Sequence, residues 1–158
     1  MNKVIAFAIV ATIGCTTTFV SAQSGTTAVP AGKERISLAA IEINATMIVP
    51  AGVKAIEETY SYYISGDNFV ISVEPAYDMT LEKAKENITA DPSKKLVSTK
   101  AHSLLYTETM MGREMAHFES YIEIEGKLYR FYDKRVTPLA MDQVKLLCEA
   151  VETIQPIQ

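Results

Sequence analysis

Tryptophan is absent from this sequence, cysteine and histidine occur twice each, and glycine only seven times. Each shortage removes an explanation. Without tryptophan, the commonest anchor for carbohydrate or hot-spot contacts is missing. The glycines form no phosphate-cradling loop. No Lys/Arg cluster is present to release phosphate counterions, which argues against a nucleic-acid surface. Without Lys3, 14 Lys and Arg stand against 19 Asp and Glu, a net charge of −5 that favours solubility. The apolar run Val4 to Gly14 covers 11 residues, well short of the ~20 needed to span a bilayer.

That run is best read as the core of a cleaved signal peptide over residues 1–22. A basic start ending at Lys3 precedes it, and Val20-Ser21-Ala22 places small residues before Gln23. Gly14-Cys15 also resembles the end of a lipobox, which would acylate Cys15. Thr12 stands where that motif usually has leucine, so the lipid anchor is the minority reading, and a single chain anchors only marginally. Either route exports the domain to a periplasmic or extracellular site. Cleavage leaves Cys148 as the sole cysteine, so no internal disulfide forms and the fold must be held by its core. Residues 23–35, rich in Gly, Ser, Thr and Pro toward their start, read as a flexible linker. Residues 36–158 read as one domain, long enough for a real core.

From Ile36 to Val49, Ile41, Ile43, Ala45, Met47 and Val49 alternate with Glu42, Asn44 and Thr46, the pattern of a half-buried strand ended by Pro50-Ala51-Gly52. Tyr60 to Ile64 and Phe69 to Val73 flank a Ser65-Gly66-Asp67-Asn68 turn, a hairpin signal. A helix follows from Asp78, whose carboxylate is placed to cap it, with Leu81, Ala84 and Ile88 on one face. Lys95 to Tyr106 reads as one long strand, and Gly112-Arg113 turns it into the next. Around Glu125-Gly126, a two-residue hairpin loop sets Ile122 opposite Tyr129, Ser120 opposite Phe131 and Phe118 opposite Asp133. Phe118, Ile122, Tyr129 and Phe131 then share one face. His117, Glu119, Tyr121, Glu123, Arg130, Tyr132 and Lys134 share the other. Thr137-Pro138 fits a helix entry, and Val144, Leu147, Cys148, Val151 and Ile154 mark one helical face before Pro156. This order predicts an α+β fold with a mostly antiparallel sheet.

Candidate chemistry is sparse. His102 and Ser103 are strand neighbours pointing to opposite faces, so they form no nucleophile–base pair. His117, Glu119 and Glu123 share a face but lack a metal-ligand spacing, and a solvated face balanced by Arg130 and Lys134 is the favoured reading. Cys148 lies on the apolar helix stripe and reads as a buried small hydrophobe. Met110-Met111 reads as a packed turn flank. The sequons Asn44-Ala45-Thr46 and Asn87-Ile88-Thr89 matter only in a eukaryotic secretory pathway. Tyr121, Arg130 and Tyr132 remain as the candidate partner-binding face, since tyrosine and arginine are enriched at interfaces. The competing reading has a helix covering that face.

The turn Val49-Pro50-Ala51-Gly52, the hairpin at Gly66-Asp67-Asn68-Phe69, the helix start Leu81-Glu82-Lys83-Ala84, the Gly112-Arg113-Glu114 turn and the closing helix together resemble the PsbP-like and DcrB-like group. The likeness spans about residues 36–155. It implies a small exported α/β/α sandwich, a sheet flanked by helices, in a family whose members act as accessory subunits, binding modules or chaperone-like adaptors. It carries no site residue. A shared fold transfers none of these roles; a complete core pattern without a clustered catalytic set sets the expectation of a non-enzymatic, exported protein-binding or adaptor domain without cofactor or metal, recognising an envelope or secreted partner. Two alternatives are a binder of a small apolar ligand between sheet and helix, in a pocket lined by Phe118, Ile122 and Phe131, and a hydrolase or metal enzyme using His102 or His117.

Overall fold

The structure is a computed structural model that describes residues 28–59, 61–133 and 138–157. The expected signal peptide, the lipobox at Cys15, and Tyr60, Lys134 and Thr137 lie outside them. Strand β1 (Lys33–Ser37) leads through a short 3-10 turn (Ala39–Ile41) into β2 (Ala45–Pro50). Strands β3 (Lys54–Glu58), β4 (Ser61–Gly66) and β5 (Phe69–Pro75) follow, then helix α1 (Leu81–Ala90). Next come β6 (Lys94–Thr99), β7 (Ser103–Met110), β8 (Arg113–Ile124) and β9 (Lys127–Asp133). Helix α2 (Met141–Val151) and a two-residue strand, β10 (Gln155–Pro156), close the chain. All described pairings between strands are antiparallel. Seven strands form one sheet in the order β3-β4-β5-β9-β8-β7-β6, and β1-β2-β10 form a smaller one. The fold is α+β and mostly antiparallel, as the order of elements predicts.

The central hairpin has the predicted register: Ile122 pairs with Tyr129 and Ser120 with Phe131. Glu125 and Gly126 both have positive φ, 52° and 76°, which a two-residue loop matched to strand twist requires. Backbone pairing of β8 with β9 stops at Glu119–Tyr132, and the Asp133 side chain takes over there, accepting the Phe118 N–H at 2.8 Å. Side-chain alternation divides the apolar residues between two clusters. Phe118, Phe131, Leu105, Ile71 and Ile64 pack with Met47 and Val49 of β2 and with Val144, Leu147, Cys148 and Val151 of α2. Leu104, Tyr106 and Tyr121, which point the other way along β7 and β8, pack with Ala84 and Ile88 of α1.

Several boundaries move. The expected linker ends earlier, because Lys33, Glu34 and Arg35 pair with Pro50, Val49 and Ile48. The single strand expected over Ile36 to Val49 is two strands, with Glu42 at φ 59° closing the turn between them. The long strand expected from Lys95 to Tyr106 is also two, β6 and β7, paired with a register shift between Leu96 and Ser98. Thr80, not Asp78, caps α1, its side chain accepting the Lys83 N–H at 3.3 Å. Helix α2 starts at Met141, beyond Pro138, with the Gln143 side chain accepting the Ala140 N–H at 3.0 Å. It ends at Val151, before Pro156 enters β10. No described helix is long and apolar enough to cross a membrane.

Candidate functional site

Strand alternation places His117, Glu119 and Tyr121 on the sheet face opposite Phe118, as expected, but the expected solvent is missing there. Tyr121 is only 4% exposed and His117 3%. For Tyr121 the reason lies in α1. Its apolar stripe needs a surface, and Ala84 and Ile88 find it on Leu104, Tyr106 and Tyr121. Tyr121 is therefore core, which removes it from the candidate partner-binding face. Arg130 and Tyr132 are half-buried. Glu123, further along the same face, is exposed.

Burying these polar groups demands partners, and the strands supply them for all but Arg130 Nε and His117 Nε2. Glu119 Oε1 accepts from the Tyr106 hydroxyl at 3.1 Å and lies 2.8 Å from Arg130 Nη2. Its Oε2 accepts from the Tyr121 hydroxyl at 2.9 Å. Arg130 Nη1 reaches Glu74 Oε1 on β5 at 2.9 Å, Tyr132 donates to Glu74 Oε2 at 3.2 Å, and the guanidinium lies 4.4 Å from the centre of the Tyr132 ring. Burial alone would raise the Glu119 pKa; the charge and hydrogen bond of Arg130, with the two tyrosine hydroxyls, outweigh it and hold the carboxyl below its ordinary range. Burial and the Glu119 charge push the Tyr121 phenol up. Burial and Glu74 do the same to Tyr132. The network keeps Glu119 ionised and both phenols protonated.

His117 lies at the far end of this face, its ring 5.4 Å from that of Tyr106. Nδ1 is 2.7 Å from Asp133 Oδ2 and Nε2 is 3.7 Å from Glu108 Oε2, beyond hydrogen-bond range. The expected grouping of His117 with Glu119 and Glu123 is thus replaced by Asp133 and Glu108. Among the described residues, no group of three or more His, Cys, Asp or Glu side chains is placed to hold a metal ion. His102 is exposed in the β6–β7 connection, whereas Ser103 is fully buried, donating to Glu152 Oε1 and accepting from Ser120 Oγ at 2.7 Å. Cys148 is buried as expected, and burial raises its thiol pKa despite the nearby Ser103 hydroxyl.

Among the recesses on the described surface, three flank the two helices. The first runs along α1 over Glu82, Lys85, Glu86, Thr89 and Ala90 and is open to solvent. The second, about 150 Å³, lies between α1 and the sheet, where Glu119, Tyr121, Arg130, Lys94 and Asn87 give it a polar lining. The third, about 260 Å³, is a partly enclosed groove between α2, the β4–β5 turn and the β1–β2 pair. Phe69, Leu147 and Ala150 form a buried apolar floor, and Leu146, 55% exposed, stands at its side. Lys33, Asp67, Asn68 and Gln143 supply its polar groups. None of the three is lined by Phe118, Ile122 or Phe131. Sequence reasoning missed the groove. The available signal was Leu146, an apolar residue off the Val144–Leu147–Val151 stripe and between charged neighbours on the outer face of α2. The exposed pair Met110 and Met111 was also misjudged as packed: Met111 is fully exposed, because its φ of 51° puts it at the tip of the β7–β8 loop.

No protein-family model matches the chain, and no curated protein is similar to it in sequence.

Proposed function

We propose that this chain is a non-enzymatic binding or accessory domain, exported through its N-terminal 22 residues, that recognises a protein partner of the envelope or secreted space. The observation that carries the reading is the pairing of a buried carboxylate, Glu119, fully engaged by its neighbours, with an apolar groove left at the surface. Glu119, a buried carboxylate, is occupied by Arg130, Tyr106 and Tyr121. Outside, Leu146 stands exposed beside the floor of Phe69, Leu147 and Ala150. An uncovered apolar residue next to a recess with a polar rim is what a binding surface needs. The binding surface thus moves from the Tyr121 face to the groove beside α2. Two things support a helix-flanked α/β/α arrangement of the PsbP-like and DcrB-like kind: the α1 cluster on one side-chain set of β7 and β8, and the α2 cluster on the other.

Affinity capture with the tagged full chain from its native envelope, read by mass spectrometry, tests this reading. A reproducible partner that survives competition by untagged chain is the expected result. Repeated capture of nothing above the untagged control would end the adaptor reading.

A further inference from the structure

The groove beside α2 has chemistry that selects among occupants, and we infer that it takes an apolar side chain from a peptide segment of a partner protein. This rests on the adaptor reading and names the contact through which it works.

The floor accepts hydrocarbon: Phe69, Leu147 and Ala150 are buried residues whose remaining surface faces the recess, and Leu146 extends the apolar wall outward. The rim is mixed. Lys33 carries a positive charge, Asp67 a negative one, and Asn68 and Gln143 carry side-chain amides. A fatty acid or other single-headed anion would meet Asp67 as well as Lys33, so the rim offers it no net attraction. A wholly apolar molecule would strip water from four polar groups and return no hydrogen bond. A peptide group is neutral and presents both a donor and an acceptor. Amide side chains complement both.

The backbone beneath one amide and the side chain of the other are fixed. Asn68 sits at φ 55° in the two-residue β4–β5 turn, a backbone state asparagine tolerates. Gln143 Oε1 is occupied by the Ala140 N–H, which leaves its NH₂ as the group to offer a peptide carbonyl. Lys33 belongs to β1, an outer strand of the three-stranded sheet. Lys33 and Pro50, which both line the groove, are paired with each other, so the groove lies at the end of the β1–β2 ladder. Its volume, about 260 Å³, is small for a drug-sized ligand and suited to anchoring a side chain or two.

The test uses isotope-labelled full chain and three probes: a capped short peptide alternating leucine and serine, the same peptide with lysine for leucine, and decanoate. The leucine peptide is expected to shift the side-chain amides of Asn68 and Gln143 and the backbone amides of Leu146, Leu147 and Ala150, saturably, while the lysine peptide does not. Leu146→Glu should weaken binding about ten-fold with an unchanged circular dichroism spectrum, since Leu146 is half outside the fold. Asn68→Gly keeps the turn conformation and should weaken binding by loss of the amide alone. Shifts confined to decanoate would make the groove an amphiphile site and overturn the inference. So would no shift, or shifts elsewhere. The two readings fail separately. If Leu146→Glu captures the same envelope partners as the unaltered chain, the groove is wrong and the adaptor reading stands.

Discussion

Replacing Glu119 with glutamine would leave Arg130 with one carboxylate, Glu74, while the Tyr106 and Tyr121 hydroxyls still point at the same side chain. A charge-assisted hydrogen bond is worth roughly 1.5–3 kcal/mol, and Arg130 is partly solvated, so Glu119→Gln should destabilise the fold by about 2 kcal/mol at neutral pH. The pH dependence has a defined sign. The folded Glu119 pKa is depressed, so its contribution is fully present above the ordinary carboxyl value of 4.5 and is lost as pH falls through the folded value. The stability gap between the two proteins should therefore be largest near pH 7 and close in acid. Urea unfolding across that range measures it, and a gap that widened on acidification would show that Arg130 does not set the pairing. Methionine behaves differently because of where it sits. Met110 and Met111 are exposed at a loop tip, while Met47 is fully buried. Dilute hydrogen peroxide should convert Met111 and Met110 to sulfoxides first, and Met47 only once the chain unfolds. Peptide mapping of a peroxide time course reads the order.

Turn chemistry dominates the hairpins. The β7–β8 loop places Met111 at φ 51° and Gly112 at φ 74°, positions where asparagine followed by glycine is favoured. Met111→Asn should raise stability by about 0.5 kcal/mol, measurable as a small rise in the urea midpoint at constant slope. Gly66 at the end of β4 is constrained by packing. A Cβ there would come within 2.8 Å of Val53 Cγ2 and 3.1 Å of Val53 Cα, and Val53 is itself buried. Gly66→Ala should cost about 1–3 kcal/mol as overpacking; an unchanged thermal midpoint would mean the β2–β3 connection yields freely. These loops also explain what was legible in the sequence. Strict alternation on both sides of Glu125-Gly126 made the β8–β9 register readable to the residue. The turns inside Ile36–Val49 and Lys95–Tyr106 contain neither glycine nor proline, so alternation ran straight through and two strands were read as one. Strand β3, Lys54–Glu58, was missed because three of its five residues are charged. The Glu119 network was hidden for another reason. Its members come from β5, β7, β8 and β9, and β5 lies beside β9 only through a long-range pairing. A polar face suggested solvent, yet the α1 stripe needed somewhere to pack.

The two sheets stand or fall together if α2 is what joins them. Its buried residues share one cluster with Met47 and Val49 of the small sheet and with Phe118 and Phe131 of the large one. Its C-terminal end is pinned to both. Glu152 accepts from Ser103 on β7, and the Thr153 hydroxyl accepts the Ile48 N–H of β2 at 2.8 Å. Strand β10, immediately beyond, pairs with β2. Loosening α2 should therefore expose both sheets at once, making unfolding a single transition. Cys148 reports on this directly, because it is fully buried in α2 and its raised thiol pKa further slows reaction with alkylating agents. In a Cys15→Ser background, labelling of Cys148 along a urea series should track loss of the sheet signal in circular dichroism, with coincident midpoints. Leu147→Ala, which removes buried apolar volume at the joint, should lower stability by about 2–5 kcal/mol and shift both midpoints together. If Cys148 became reactive at lower urea than the sheet signal is lost, α2 would be detaching first, and the seven-stranded sheet would be stable without it.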